Sequence, residues 1–90
     1  MNSQTRFKRS DVPFKDFEQD GVLLDPESGE FYMLDNICHF IWTRLDGEKS
    51  LTQVAEEIAS EYDVSTEEAL KDLQEFMAEL ESKRLITKIA

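Results

Sequence analysis

The side chains able to carry out chemistry are few and scattered. The chain has one cysteine and one histidine, and these are the neighbours Cys38 and His39. Neighbours on a helix point about 100° apart, so this pair cannot hold a metal ion without ligands from elsewhere. The three glycines, at positions 21, 29 and 47, stand singly and form no phosphate-binding loop. The pattern predicts a protein that is not an enzyme and has neither a metal site nor a cofactor.

Peptide binding through the backbone is indicated instead by the segment Gly29–Leu34, which carries no charge or proline after Glu30. An unpaired strand edge pairs readily with another chain, and for that reason edge strands are normally blunted by charges, prolines or bulges. The earlier predicted strand, Phe14–Glu18, is blunted by Pro13 before it and by alternating charges along it. The strand over residues 30–34 is not, and we expect it to accept a peptide strand.

The composition indicates one small acidic domain. A single cysteine permits no internal disulfide. Residues 1–15 carry four bases and one acid, residues 16–82 carry nineteen acids and three bases, and residues 83–90 carry three bases, for a net charge of −10. This balance opposes nucleic-acid binding, which depends on basic side chains, and favours a neutral or basic partner.

The periodicity and turn residues predict an α+β fold with a three-stranded antiparallel meander followed by three helices. Residues 1–12 are expected to form a flexible arm, and residues 13–90 the folded domain. Strands are predicted over 14–18, 22–25 and 30–34, joined by tight turns, so the third strand lies at an edge. A helix capped by Asp35 or Asn36 ends at Asp46-Gly47. Capping boxes open the next two helices, the last over 66–83, and a short strand can follow over 85–89.

The sequence also indicates where in the cell the protein is found. The chain has no apolar run approaching the ~18 residues of a membrane span, and its first residues lack the apolar segment of a signal peptide. Together with the single cysteine, this predicts a cytoplasmic protein.

Residues 20–87 resemble the PqqD family, small peptide-binding proteins named after pyrroloquinoline quinone biosynthesis, which includes recognition elements of ribosomally made, modified peptides. The matching motifs are Val22-Leu23-Leu24-Asp25, Gly29-Glu30-Phe31-Tyr32, Leu34-Asp35, Ile41-Trp42, Leu45-Asp46-Gly47, Leu51, Tyr62-Asp63-Val64, Asp72-Leu73, Phe76, Leu80 and Leu85-Ile86. Two positions depart from the family: Asp35 stands for the usual asparagine and Arg84 for the usual glycine. Because arginine adopts a left-handed cap only with strain, we expect the end of the last helix to differ from that of the family.

The resemblance implies a winged helix-turn-helix-like domain that binds the leader segment of a precursor peptide. The leader would add as a strand beside residues 30–34, with its side chains in the cleft against helix 66–83. A partner enzyme, such as a radical SAM enzyme or a lasso-peptide leader protease, would then modify the tethered peptide. An open edge also suggests a strand-swapped homodimer.

The candidate peptide-binding residues lie on that strand and helix. They are Glu30, Phe31, Tyr32, Met33, Leu34, Asp72, Leu73, Phe76, Met77 and Leu80. Alternate strand residues face opposite ways, so either Phe31 and Met33 or Tyr32 and Leu34 face the core, and the pattern does not decide which. The apolar helix residues suit the core as well as a ligand. Asp72 suits a basic leader residue or plain solvation.

Two other classes of function are open to a chain of this kind. A small acidic acyl carrier needs an Asp-Ser pair at a helix start, whereas Ser50 follows Lys49. A winged-helix interaction protein that binds DNA would use helix 66–83, whose many carboxylates repel phosphates.

Overall fold

A computed structural model of the chain describes residues 4–89, which form an α+β fold with two antiparallel sheets and three helices. In chain order the elements are β1 (Arg6–Arg9), β2 (Phe14–Phe17), β3 (Asp20–Leu24), β4 (Phe31–Leu34), α1 (Asn36–Thr43), β5 (Asp46–Ser50), α2 (Leu51–Tyr62), α3 (Thr66–Ser82) and β6 (Ile86–Lys88). The sheets have the strand orders β2-β3-β4 and β5-β1-β6.

The predicted meander is present as the first of these sheets. Phe14 of β2 lies opposite Leu23 of β3, and Leu23 lies opposite Tyr32 of β4. Because each turn joins strands that are consecutive in the chain, β3 is central and β4 lies at an edge.

The flexible arm expected over residues 1–12 is wrong for the part of it that the structure describes. Arg6–Arg9 is the central strand of the second sheet, between β5 and β6. Phe7 is 1% exposed and belongs to the core. The strand escaped prediction because Phe7 is its only apolar side chain and its neighbours Lys8 and Arg9 are exposed. The folded domain therefore begins before residue 13, while residues 1–3 lie outside the described part.

The second sheet contains a further strand that the sequence did not indicate. Asp46-Gly47 was predicted to end a helix, but α1 ends at Thr43 and Asp46 begins β5. Gly47 has a φ of +84°, which a residue with a side chain adopts only with strain. The short final strand expected after α3 is present as β6.

All three predicted helix starts are capped by a side-chain oxygen, and of the two predicted capping boxes the reciprocal form is seen at α2. The Asp35 carboxylate accepts a hydrogen bond from the backbone N–H of Cys38, at 2.9 Å. The Ser50 hydroxyl and the Gln53 side chain form a reciprocal capping box, and the Ser65 hydroxyl accepts from the N–H of Glu68. These bonds satisfy N–H groups that the first helical turn leaves without partners.

The core joins the helices to both sheets. α2 packs on α3, α1 packs on β3 and β4, and α3 packs on β6. The largest side chains with less than 2% exposure are Phe7, Leu23, Leu34, Leu51, Leu73, Met77, Leu80, Leu85 and Val54. Among residues 4–89, no helix combines the length and the apolar character needed to cross a membrane.

Arginine at position 84 adopts the backbone conformation that a glycine would favour. Arg84 has a φ of +59°, and its N–H donates to the carbonyl of Glu81 at 3.0 Å. The next residue, Leu85, donates to the carbonyl of Leu80 at 3.0 Å and returns the chain to the core. The turn is thus preserved at the cost of a left-handed, non-glycine residue.

Replacing Arg84 with glycine should raise the free energy of unfolding by about 0.5–1 kcal/mol, because glycine adopts this conformation without steric strain. The ion pair lost with it, between Arg84 and Glu27, joins two exposed side chains and contributes little. Urea unfolding of the two proteins measures the difference. Lys83→Gly is the control: Lys83 has a φ of −93°, so glycine there should destabilise. A less stable Arg84→Gly protein would contradict the assignment of strain.

Replacing Phe7 with alanine should lower the free energy of unfolding by about 3–5 kcal/mol, as expected for a large aromatic side chain removed from a core. Urea unfolding followed by circular dichroism measures the loss. Lys8→Ala, at the exposed neighbouring position of β1, is the matched control and should change stability little. Equal free energies of unfolding for the two variants would support the original prediction of a flexible N-terminal arm.

Candidate functional site

The outer backbone edge of β4 is the first component of the site. The N–H of Asp25 donates to the carbonyl of Glu30 at 2.9 Å, which fixes the alternation of the β3–β4 ladder. In antiparallel sheets, residue pairs that exchange hydrogen bonds alternate with pairs that do not. Tyr32 therefore bonds to β3, while the N–H and C=O groups of Phe31 and Met33 point away from it. These four groups form the ladder available at the open edge.

The two faces of β4 differ sharply in burial. Leu34 is 1% exposed and Tyr32 is half-buried against the core, whereas Phe31 is 70% exposed and Met33 is 72% exposed. The core-facing set, which alternation alone left undecided, is therefore Tyr32 and Leu34.

One side of α3 borders the same region. Asp72, Phe76, Glu79 and Lys83 fall within about 60° of arc at 100° per residue. The ammonium of Lys83 lies 5.9 Å from the centre of the Tyr32 ring, and Glu79 interacts with the Tyr32 hydroxyl. These contacts show that the side of α3 formed by the four residues faces β4, and we call this side the stripe. We call the space between β4 and the stripe the cleft.

Two groups in or near the cleft have a raised pKa and keep their protons at neutral pH. Burial raises the pKa of Tyr32 above its usual range, and the hydrogen bond to Glu79 adds to the effect. Burial also raises the pKa of Cys38 to about 12, helped by its hydrogen bond with Asp35. A thiol in this state is a poor nucleophile. The cleft thus offers hydrogen bonds and apolar contact, and within residues 4–89 no three His, Cys, Asp or Glu residues gather to hold a metal.

A small hollow marks the end of the cleft where α3 ends and β4 begins. Its volume is about 120 Å³, and Glu30, Tyr32, Lys83 and Leu85 are among its lining residues. Glu30 and Lys83 give it one negative and one positive group. The hollow is large enough to hold part of one side chain.

The candidate binding residues divide into cleft and core. Leu34, Leu73, Met77 and Leu80 are no more than 1% exposed, so an added peptide cannot contact them without a rearrangement. Phe76 is half-buried, and Asp72 and Glu30 are exposed. The burial of Leu73, Met77 and Leu80 follows from the helical period, since they form the core-facing side of α3, and that of Leu34 follows from the alternation of side chains along β4.

Three residues near the cleft were missed by the sequence argument. Glu79 and Lys83 follow Asp72 by seven and eleven residues, a spacing that returns to the same side of a helix. That spacing was a usable signal, but many acids on α3 share similar spacings. For Cys38 the sequence offers no such signal, because its interaction with Tyr32 depends on packing between α1 and β4.

Replacing Glu79 with glutamine should lower the pKa of Tyr32 toward the ordinary value of 10.0, because the change removes a negative charge beside the phenol. The measurement is an ultraviolet titration in a Tyr62→Phe background, where Tyr32 is the remaining tyrosine of two. In the parent, Tyr32 has a higher pKa in the folded than in the unfolded state. Its contribution to the free energy of unfolding is therefore fully present below about pH 10 and is lost as the pH rises further. The Glu79→Gln protein should lose less.

Glu81→Gln is the control for that titration. Glu81 lies on the same helix but on the side away from Asp72, at 180° by helical geometry. An equal shift of the Tyr32 pKa in both variants would show that Glu79 does not act through local contact.

The chain is similar in sequence to proteins of a known family. The sequence pattern of the family described as Coenzyme PQQ synthesis protein D (PqqD) matches residues 20–86. A PqqA binding protein from Xanthomonas oryzae pv. oryzae (strain PXO99A) is 40% identical over 65 residues, which is 72% of this chain and 68% of the relative.

Two solved structures have the same fold. One is TbiB1 in complex with the TbiA(beta) leader peptide, with a TM-score of 0.79 and 30% identity over 88% of this chain and 93% of that one. The other is the PqqD truncation of Methylobacterium extorquens PqqCD, described as a stand-alone recognition element, with a TM-score of 0.71 and 26% identity over 92% of this chain and 87% of that one. The sequence match over most of the chain, joined to these relatives, shows that the chain belongs to the PqqD family.

Proposed function

We propose that this protein binds the leader segment of a ribosomally synthesised precursor peptide and presents it to a modifying enzyme. The leader adds as a strand to β4, in the cleft against α3. The observation that carries the proposal is the open ladder at Phe31 and Met33, bordered by the α3 stripe. The likeness to a PqqA binding protein and to a leader-peptide complex supports it.

Strand addition divides recognition between backbone and side chains. The four outward groups of Phe31 and Met33 hold any extended peptide, since every residue but proline offers the same donor and acceptor. Alternate side chains of the added strand enter the cleft and meet Tyr32 and Phe76, which therefore select the apolar anchors. Affinity then comes from the ladder and specificity from the anchors.

The charges of the α3 stripe set a second criterion. Asp72 and Glu79 attract a basic leader side chain, and Lys83 at the other end attracts an acidic one. Exposed pairs of this kind contribute about 0.2–1 kcal/mol each and weaken with salt. The ladder and the apolar anchors are less sensitive to salt and should dominate.

The protein acts in this scheme as a carrier of the peptide and not as its catalyst. The partner is an enzyme of peptide modification, such as a radical SAM enzyme or a lasso-peptide leader protease, working in the cytoplasm. The helices α2 and α3 with the β5-β1-β6 sheet serve as a winged-helix-like frame. Two chains in concentrated solution would form a homodimer by exchanging their N-terminal strands, because short turns and an open edge favour such exchange.

The rival functions fit less well. In an acyl carrier, Ser50 would have to carry the prosthetic arm, but Ser50 is 8% exposed and its hydroxyl caps α2. In a DNA-binding protein, α3 would face phosphates with Glu67 and Glu68 in its first turn. Neither alternative draws support from a feature of the cleft.

The variant Met33→Pro tests the proposal, because proline deletes one outward N–H of the ladder. Proline is tolerated on an edge strand where its missing N–H faces outward, so the protein should remain folded. We expect the affinity for a labelled leader peptide that the parent protein binds to fall about tenfold or more, the order for one lost buried hydrogen bond and its distorted neighbours. Fluorescence polarisation at two salt concentrations provides the measurement.

Met33→Ala is the matched control, since it keeps the N–H and removes only an exposed side chain. It should bind the leader within about twofold of the parent, a change below 0.5 kcal/mol. Unchanged binding by a folded Met33→Pro protein would rule out strand addition at β4. Binding that vanishes at high salt in the parent would assign recognition to the acidic surface instead.

A further inference from the structure

A second apolar surface lies on the side of the meander that faces away from α1. Phe17 is 51% exposed, Phe31 is 70% exposed and Met33 is 72% exposed. Val22 and Leu24 are half-buried beside them. We call these five residues the outer face. The largest exposed apolar side chains of the meander are thus gathered on the surface opposite to its core-facing side.

The strand register brings the outer face together. Val22 of β3 lies opposite Met33 of β4, and Leu24 lies opposite Phe31. Side chains at these positions point to the same side of the sheet, opposite to Leu23, which is fully buried. A hollow of about 260 Å³ lies over this face, with Phe17, Leu24 and Phe31 among its lining residues. Contiguous apolar patches of this kind on a small domain mark an interaction surface.

Acidic turns border the outer face at both ends. Glu18 and Asp20 lie at the turn between β2 and β3. Asp25, Glu27 and Glu30 lie at the turn between β3 and β4. Lys15 is the basic residue of β2, and its ammonium lies 5.3 Å from the centre of the Phe17 ring. At the other end, Arg84 forms an ion pair with Glu27 at 3.5 Å, and Lys83 lines the same hollow as Asp25 and Glu30. The five acids still outnumber the three bases, so the margin of the apolar patch carries a net negative charge.

This margin argues against a second copy of the chain as the occupant. In a two-fold dimer the same patch meets itself, so acidic turns would face acidic turns in either orientation. The net charge of −10 on each copy adds to the repulsion. A partner with an apolar projection and a basic margin is complementary in both respects.

The outer face is continuous with the peptide-binding edge. Phe31 and Met33 contribute their side chains to this face and their backbone groups to the open edge of β4. A partner seated on the face would lie beside an added peptide strand and leave the cleft uncovered.

We propose that the outer face docks the modifying enzyme, which presents an apolar side chain to the hollow and basic residues to the two acidic turns. The inference rests on the proposed function for the nature of the partner. The protein then has two surfaces with separate tasks: the cleft and edge of β4 hold the peptide, and the outer face holds the enzyme.

The test uses the double variant Phe17→Ser, Val22→Thr, whose substitutions lie on β2 and β3 and spare β4. The probes are a purified peptide-modifying enzyme that acts on the leader's precursor and the labelled leader peptide, each measured separately by equilibrium binding. We expect enzyme affinity to fall about tenfold or more, as for the loss of an interface anchor, and leader affinity to stay within about twofold. Higher salt should weaken the enzyme complex of the parent.

Ile89→Ser is the matched control, since Ile89 is 46% exposed and lies beyond β6 in the other sheet. It should bind the enzyme like the parent. Phe17→Ser alone, at the more exposed of the two positions, serves if the double variant unfolds. Enzyme affinity within twofold of the parent in the folded variant would overturn the proposal, as would an enzyme that does not bind the parent protein.

Two further outcomes separate this proposal from others. Phe76→Ala, in the cleft and outside the outer face, should weaken leader binding and leave enzyme affinity within about twofold, so failure of strand addition leaves the outer face tested on its own. Sedimentation of the parent at high concentration addresses self-association. A dimer that the Phe17→Ser, Val22→Thr variant dissolves would assign the outer face to a second copy and overturn the proposal.

Discussion

Every strand residue other than proline carries one N–H and one C=O, and these groups need partners wherever water is excluded. At β4 the groups of Tyr32 are satisfied by β3, while those of Phe31 and Met33 face outward with no strand of residues 4–89 beside them. Water can satisfy them in the free protein, so the edge costs little to keep open. A peptide that replaces the water gains a ladder without any change in the fold. The proposed site depends on this edge, whose N–H and C=O groups have no strand partner within residues 4–89.

The rest of the fold keeps the edge open and fixed in place. β3 and the half-buried ring of Tyr32 hold β4 against the core, and Leu34 anchors its end. α3 is held by Leu73, Met77 and Leu80 on one side, which leaves Phe76 and Glu79 on the adjoining side toward β4. The helical period assigns these tasks to different residues of the same helix. A rigid strand and a rigid helix limit the rearrangement that binding requires, which favours affinity.

In the two proposals the faces of β4 have different tasks, one in peptide capture and the other in enzyme docking. Tyr32 faces the cleft, where burial, with a smaller contribution from Glu79, raises the pKa of its hydroxyl. Phe31 and Met33 face outward and are exposed, although large apolar side chains are usually buried. The alternation of side chains along a strand thus gives one short segment two surfaces and an edge.

The sequence by itself determined the local features of this protein. The caps at Asp35, Ser50 and Ser65, the two turns of the meander and the unblunted strand near residues 30–34 are set by short-range chemistry, which a few neighbouring residues specify. The apolar stripe of α3 followed from its period. The family motifs, spread in order over residues 20–87, pointed to the same fold.

Only the tertiary structure decided which of these residues are accessible. The strand at Arg6–Arg9 has one apolar residue, and its place at the centre of a sheet depends on β5 and β6, which are distant in sequence. The same is true of Leu73, Met77 and Leu80, whose apolar character fits a core or a cleft equally well. The face of β4 that meets the core and the arrival of Glu79 at Tyr32 depend on packing between distant elements. Burial is a property of the assembled chain, and no local pattern fixes it.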